Sequence, residues 1–254
     1  MIYDLQKASF LKRIAAAVLD LILLCVLAVG VASAMSGVLG YDDHYQTLNQ
    51  CYEVYGQQFG VDLNMTEAEF SQLPEELQQR YLDAIEAMNQ DEQALTAYNM
   101  LIYLSLAVAT VAVLAGYLVL EFAVPILFGN GQTVGKKVFA IAVMKTNGVK
   151  INSVSLFVRT VLGKFTIETM VPLLLIMMMF WGAIGIVAPL VIFGILVVEI
   201  ALMISSKTGA TIHDTLAQTV TVDIHSQLIF GSESELMDYK KRTHEEMVRK
   251  QSYF

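Results

Sequence analysis

Charge is scarce in this chain, and so are the residues that cross-link a fold or ligate a metal. Its two cysteines, Cys25 inside an apolar block and Cys51 outside one, form no C-x-x-C spacing, so no disulfide framework or thiolate metal centre is expected. The four histidines, His44, His213, His225 and His244, are scattered and read as solvated side chains. No helix-borne histidine pair and no nucleophile with an adjacent base is present, so an enzyme is not expected. The nearest approach to a phosphate-binding loop fails at two positions, with Asn130 where the first glycine belongs and Lys137 where Ser or Thr belongs, which discounts nucleotide binding. No cofactor and no nucleic-acid partner is expected.

What is abundant is apolar surface. Of 254 residues, 56% are hydrophobic and only 16% charged, against about 45–50% and about 25% in soluble domains. The apolar residues fall into three blocks, roughly 14–40, 98–128 and 166–204, each longer than the ~20 residues that cross a bilayer as a helix. The lipid bilayer is therefore the first partner expected. The first block exceeds the length of a secretory signal core and holds Asp20, so it reads as a retained helix despite the small residues Ala32-Ser33-Ala34.

Basic residues set the expected topology. Lys7, Lys12 and Arg13 precede the first block, six Lys or Arg lie between 136 and 164, and six follow 206, whereas the segment 41–97 has Arg80 alone against 12 acids. The positive-inside rule then places the N-terminus, the middle segment and the tail in the cytoplasm, with 41–97 outside. With both flanks inside, the third block crosses an even number of times, as a hairpin turning between Trp181-Gly182 and Pro189; the alternative is one long tilted helix kinked at Pro189, which would leave the C-terminus outside. Its ~39 residues make both helices short, near the about 17-residue limit.

These considerations predict an all-α membrane protein with four transmembrane helices, a short cytoplasmic β-hairpin ribbon and an extracytoplasmic helical insertion. The expected divisions are 1–40, the N-terminus and first helix; 41–97, the acidic insertion; 98–224, the remaining helices with the ribbon; and 225–254, a charged cytoplasmic tail. In the insertion, Thr66 and Glu69 match a capping box, and Leu77, Tyr81, Ile85 and Met88 recur at helical spacing. Asn64-Met65-Thr66 matches a glycosylation acceptor, a three-residue pattern of low specificity. GNGQTVGKK reads as a glycine-rich basic loop. VFAIAVMKTNGVKI alternates around Asn147-Gly148 and predicts a hairpin with a type I′ turn, to which the alternating Thr219-Val220-Thr221-Val222 can add a third strand. SVSLFVRTVLGKF reads as an amphipathic helix entering the membrane obliquely.

Charges inside the apolar blocks are the most informative feature, since each costs at least ~2.5–3.5 kcal/mol near the bilayer centre. Arg13 and Asp20 are two turns apart on one helical face, with Asp20 about 10 Å deeper. Glu121, Glu168 and Glu199 sit one or two turns from the cytoplasmic ends of the other helices, giving one carboxylate per helix at a shared shallow depth. Arg13, Arg159, Lys164 and Lys207 lie near the rim. Such acids serve either as buried ion pairs that fix helix register or as a proton- or cation-binding site. Asp20 and Glu121, the deepest, are the leading pair.

Four motifs in order, Arg13 with Asp20, Gly131-Gln132-Thr133-Val134-Gly135-Lys136-Lys137 before the hairpin, Arg159, and His213-Asp214-Thr215-Leu216-Ala217-Gln218-Thr219-Val220, resemble the RDD family of bacterial membrane proteins. The resemblance covers residues 5–40 and about 98–224. The family's arginine and two aspartates map onto Arg13, Asp20 and Asp214; Gln218 stands where many members have Gly. Most of the family has no assigned molecular function, and some members look like cation/proton antiporters, which implies a monovalent cation or proton as ligand for Asp20, Glu121, Glu168 and Glu199. Four short helices without an internal repeat make a small transporter, so a homo-oligomer is expected. Asp214 is expected near the QTVGKK loop and Arg13, so that Arg13, Lys136, Lys137 and Asp214, grouped with the motif residues His213 and Arg159, form a cytoplasmic lid over Asp20 and Glu121. The other expectation is a non-catalytic scaffold or accessory subunit that meets a membrane-protein partner through 41–97 or the tail. A bacterial cell membrane with both termini inside is the expected location.

Overall fold

A computed structural model describes residues 5–251; residues 1–4 and 252–254, the outer ends of the expected N-terminal segment and of the charged tail, lie outside the described residues. In chain order the elements are α1 (Phe10–Val38), α2 (Tyr41–Phe59), α3 (Glu67–Phe70), α4 (Glu75–Met88), α5 (Glu92–Phe128), α6 (Val134–Val138), β1 (Ile141–Lys145), α7 (Ser153–Phe180), α8 (Val187–Ser205), α9 (Ile212–Ala217), β2 (Thr219–Asp223) and α10 (Glu233–Gln251). Four of them, α1, α5, α7 and α8, are long and apolar enough to span a membrane. The chain forms two compact units, one of Val29–Ala112 and the other of the residues up to Ala28 together with those from Val113 onward.

Within the Val29–Ala112 unit, α2 packs on α4 around Cys51, Met88 and Ala94, with Tyr52, Tyr55 and Ile85 against them. Thr66 caps α3 reciprocally with Glu69, and Leu77, Tyr81, Ile85 and Met88 all lie on α4. The helix α2 carried no strong periodic signal in the sequence. It is bounded by Gly40 and Gly60, both at positive φ, a conformation that only glycine adopts without cost.

In the other unit, the apolar layer joins Leu24 of α1, Tyr117 of α5, and Phe165 and Met170 of α7. Helices α7 and α8 form the expected hairpin, turning through Gly182 at φ 67°. The first arm differs from expectation: it starts at Ser153 rather than near 166, because the amphipathic SVSLFVRTVLGKF runs unbroken into the apolar stretch, making a 28-residue span.

The ribbon also differs. The partner of β1 is β2, antiparallel, in a register that sets Val143 opposite Thr221. The return stretch after Asn147-Gly148 contributes one bridge, Met144 to Lys150. Only Gly148 of the turn pair has positive φ, at 93°, which excludes type I′, since that turn needs both central residues there. Lys145 O instead accepts from Gly148 N at 2.9 Å, a three-residue connection with glycine in the left-handed position. Buried Ala142, Met144, Val220 and Val222 pack together with Leu5, Ile224 and Ile229. The strand TVTV is thus a principal partner rather than an added third strand, because its alternate valines complete this core.

Candidate functional site

Two stretches of membrane helix wind more widely than an α-helix. Val124 N bonds Val119 O across Leu118–Ala123 in α5, and Val171 N bonds Thr166 O across Val158–Met170 in α7, the i to i+5 pattern of π-helix. Each stretch precedes a proline, Pro125 or Pro172, which has no N–H for the carbonyl four residues back. Those carbonyls belong to Glu121 and Glu168. Thr160 Oγ1 donates to Glu121 O at 3.0 Å, so the freed acceptor is satisfied from the facing helix.

The winding decides which charges meet. At about 100° per residue an α-helix sets Arg159 and Glu168 on opposite faces, nine residues apart. At roughly 4.4 residues per turn, Arg159, Lys164 and Glu168 fall within about 50° of one another. Such widened turns concentrate at functional positions, and here they carry four of the chain's intramembrane charges.

Asp20 belongs to the buried face of α1, with Ala16 and Leu24. It meets the first turn of α6, where Thr133 Oγ1 donates to Asp20 Oδ2 and Gly135 N donates to Asp20 Oδ1 at 2.7 Å. Position 135 must be glycine, because a Cβ there would meet the carbonyl oxygen of Ala16 and the Asp20 carboxyl. Lys136 Nζ lies 3.9 Å from Asp20 Oδ2, 3.6 Å from Glu121 Oε2 and 3.2 Å from Thr133 Oγ1, and Lys164 Nζ lies 2.6 Å from Glu121 Oε1. Burial pushes the Lys136 ammonium down to about 8, with Glu121 opposing that shift and Lys164 and Arg159 adding to it.

Asp214 centres a second network. Its Oδ1 accepts from Arg159 Nη1 and from Thr219 Oγ1 at 2.8 Å, its Oδ2 accepts from Thr211 Oγ1 at 3.0 Å, and Arg13 Nη2 stands 3.5 Å from Oδ2. Burial opposes ionisation of this carboxyl, yet Arg159 outweighs it and holds the group well below the usual carboxylate range. Arg13 also donates to Gly209 O at 2.7 Å. Next to Asp214, His213 Nδ1 lies 2.8 Å from both oxygens of Glu168. Burial, and then Arg159, push the imidazole below its ordinary value. Gly163 allows this approach, since a Cβ there would press on Cβ of His213. Glu199 Oε2 accepts from Ile212 N at 2.9 Å.

A cavity of about 240 Å³ adjoins both networks, with Arg13, Asp20, Lys136, Lys164, Glu199 and His213 among its walls. Among the described residues no buried side-chain nitrogen or oxygen lacks a hydrogen-bond partner.

Several expected placements are changed. Arg13 and Asp20 share a helix face but serve different networks, Arg13 with Asp214 and Asp20 with α6. Lys136 is in the interior with Asp20 and Glu121 rather than beside Asp214. Lys137 is exposed and sits 3.8 Å over the Phe128 ring, outside any lid, because adjacent residues of a helix point about 100° apart. The QTVGKK stretch is a capped helix, not an open loop. His213 is not solvated; its side chain is 12% exposed. The hydroxyls of Thr133, Thr160, Thr211 and Thr219 went unnoticed in the sequence. One available signal was the repeated Glu-x-x-x-Pro at 121–125 and 168–172; another was Thr133 three residues before Lys136, an N-cap spacing.

No characterised protein and no solved structure gives a match to this chain. The model of the RDD family matches residues 7–218, a stretch that contains Arg13, Asp20, Arg159 and Asp214 and all of their network partners but Thr219. The chain belongs to the RDD family.

Proposed function

We propose that this RDD-family membrane protein exchanges a monovalent cation for a proton, with Asp20 and Glu121 as the cation ligands and Lys136 as the group that carries the proton. The carrying observation is the position of Lys136 between the two acids, at 3.9 and 3.6 Å. Both separations exceed a direct hydrogen bond, so its ammonium balances the pair without closing on either carboxylate. Loss of the proton from Lys136 Nζ to solvent in the cavity leaves the pair short of one positive charge, which an entering cation replaces. Return of the proton expels the cation. No covalent chemistry is involved. Glu199 lines the same cavity beside His213, and Glu168, against His213, adds negative potential behind it. In this reading the protein lies in a bacterial cell membrane with both termini in the cytoplasm, a sidedness supported by the distribution of Lys and Arg along the chain, and it works as a homo-oligomer, because four spans make a small transporter.

The test is proton movement in proteoliposomes containing the full chain, followed with an internal pH dye under sodium or potassium gradients. Cation-dependent flux that rises as pH passes through about 8 and is lost in Asp20→Asn and Lys136→Met supports the proposal. Absence of flux across that range, or flux unchanged in Asp20→Asn, refutes it.

A scaffold or accessory role is the second reading, favoured by α10, which exposes Met237, Met247 and Val248 on a helix otherwise rich in charge. A stoichiometric membrane partner that copurifies, and is lost on deleting 233–251 or 41–97, supports it; copurification unaffected by both deletions counts against it.

A further inference from the structure

We infer that Glu168, Glu199 and His213 form a binding site for one divalent transition-metal ion. The three side chains come from α7, α8 and α9, and one donor atom of each lies within 4.8 Å of the others. Convergence from three elements separated by 31 and 14 positions is a property of the fold, not of a local acidic run.

The spacings suit inner-sphere ligation. His213 Nδ1 stands 2.8 Å from each Glu168 oxygen, close to the ~3.0 Å edge of an octahedron whose metal–ligand bonds are about 2.1 Å. Glu199 completes the set by a small side-chain rotation. One of its oxygens is held by Ile212 N, and the other has no hydrogen bond or ion pair among the described residues. Glu199 and His213 both line the cavity, so an ion has an approach, and solvent can fill the remaining coordination positions.

Each ligand is also held from behind, as in sites whose outer contacts orient the donors. Ile212 N fixes Glu199 and His213 N donates to Glu168 at 2.9 Å, while Thr211 Oγ1 lies 2.9 Å from His213 Nε2. On metal binding the single proton of the neutral ring leaves Nδ1 and is taken up at Nε2 by exchange with solvent, where it can be donated to Thr211.

Charge points the same way. Five buried or half-buried acids, Asp20, Glu121, Glu168, Glu199 and Asp214, face four cations, Arg13, Lys136, Arg159 and Lys164. Glu199 has no ion pair and Glu168 pairs only with His213, so of these five they are the two acids with no Lys or Arg within ion-pair distance among the described residues. An imidazole beside two carboxylates favours Zn²⁺ or Mn²⁺ over Mg²⁺ or Ca²⁺, which take oxygen ligands alone.

Its ligands are not those proposed for cation/proton exchange, since Asp20 and Glu121 are not among them. Its test is equilibrium binding of Zn²⁺ and Mn²⁺ to the purified, EDTA-stripped full chain in detergent, with Mn²⁺ followed by paramagnetic resonance. The expected result is one equivalent bound, weakened about 10-fold or more in Glu199→Gln and in His213→Gln and unchanged in Asp20→Asn. Glu199→Gln retains an oxygen for Ile212 N, and its melting temperature reports that the fold is kept. Failure to bind either ion at one equivalent, or equal affinity in Glu199→Gln and the parent, overturns the inference. Failure of proton flux leaves it standing.

Discussion

Replacing Asp214 with asparagine removes one charge while preserving shape. Asp214 is 1% exposed and Arg159 3%, and the carboxylate serves Arg159, Thr211, Thr219 and Arg13 together. Asp214→Asn leaves two guanidinium groups facing a neutral amide whose NH2 cannot accept. Breaking a buried pair from one side costs about 3–5 kcal/mol. The remaining amide oxygen keeps one acceptor, so the lower end, about 3 kcal/mol, is expected. At about 2–4 °C per kcal/mol for a chain of this size, thermal unfolding in detergent, followed by loss of the monodisperse peak in size-exclusion chromatography, shifts down by roughly 6–12 °C. The double variant Asp214→Asn, Arg159→Met recovers part of that loss, because the orphaned Arg159 charge is gone. The pH dependence has a defined sign. The folded carboxyl titrates below its unfolded value, so its stabilisation is fully present above about pH 4 and is lost as pH falls further. Asp214→Asn therefore flattens the acid limb of the stability profile. A shift under about 2 °C, or no recovery in the double variant, refutes the view that this pair holds the fold together.

Gln218 is in the left-handed region, at φ 53° and ψ 47°, just after α9, where a side chain costs about 1 kcal/mol or more. Gln218→Gly is expected to raise the melting temperature by a few degrees; a decrease contradicts the strain. Gly135→Ala drives a methyl group into the Ala16 carbonyl and is expected to cost about 1–3 kcal/mol as overpacking does, read as lower yield and earlier melting; parent-like stability shows that α6 can shift away. The Lys12–Asp223 pair, at 2.6 Å but 40% and 21% exposed, is expected to matter little, with Lys12→Ala changing stability by at most about 1 kcal/mol and less in high salt. Circular dichroism melts at two salt concentrations check this, and a large salt-independent loss refutes it.

Local chemistry was legible in residue order. The capping box at Thr66, the helical spacing in 77–88 and the hairpin break at Gly182 each depend on neighbours within a few positions, and each was found where its pattern lay. The type I′ turn was not, because an Asn-Gly pair supports more than one turn geometry and the strand that pairs with β1, at 219–223, comes from beyond two membrane helices. Lys136 and Lys137 look equivalent in sequence, yet α6 turns one onto Asp20 and Glu121 and the other onto Phe128.

The sequence by itself determined that this chain belongs to the RDD family, that it has four segments apolar enough to span a membrane, and that each holds a carboxylate. Hydropathy and residue order suffice for that, since a bilayer imposes a minimum apolar length on any helix that crosses it. Which acid meets which cation was decided only in the tertiary structure. Arg13 and Asp20 point to one side of α1, but α6 and α9 arrive there from distant parts of the chain and divide the two between separate networks. The widened winding ahead of Pro125 and Pro172 then rotates Glu121, Arg159, Lys164 and Glu168 inward, which an ideal α-helical count from the sequence does not foresee.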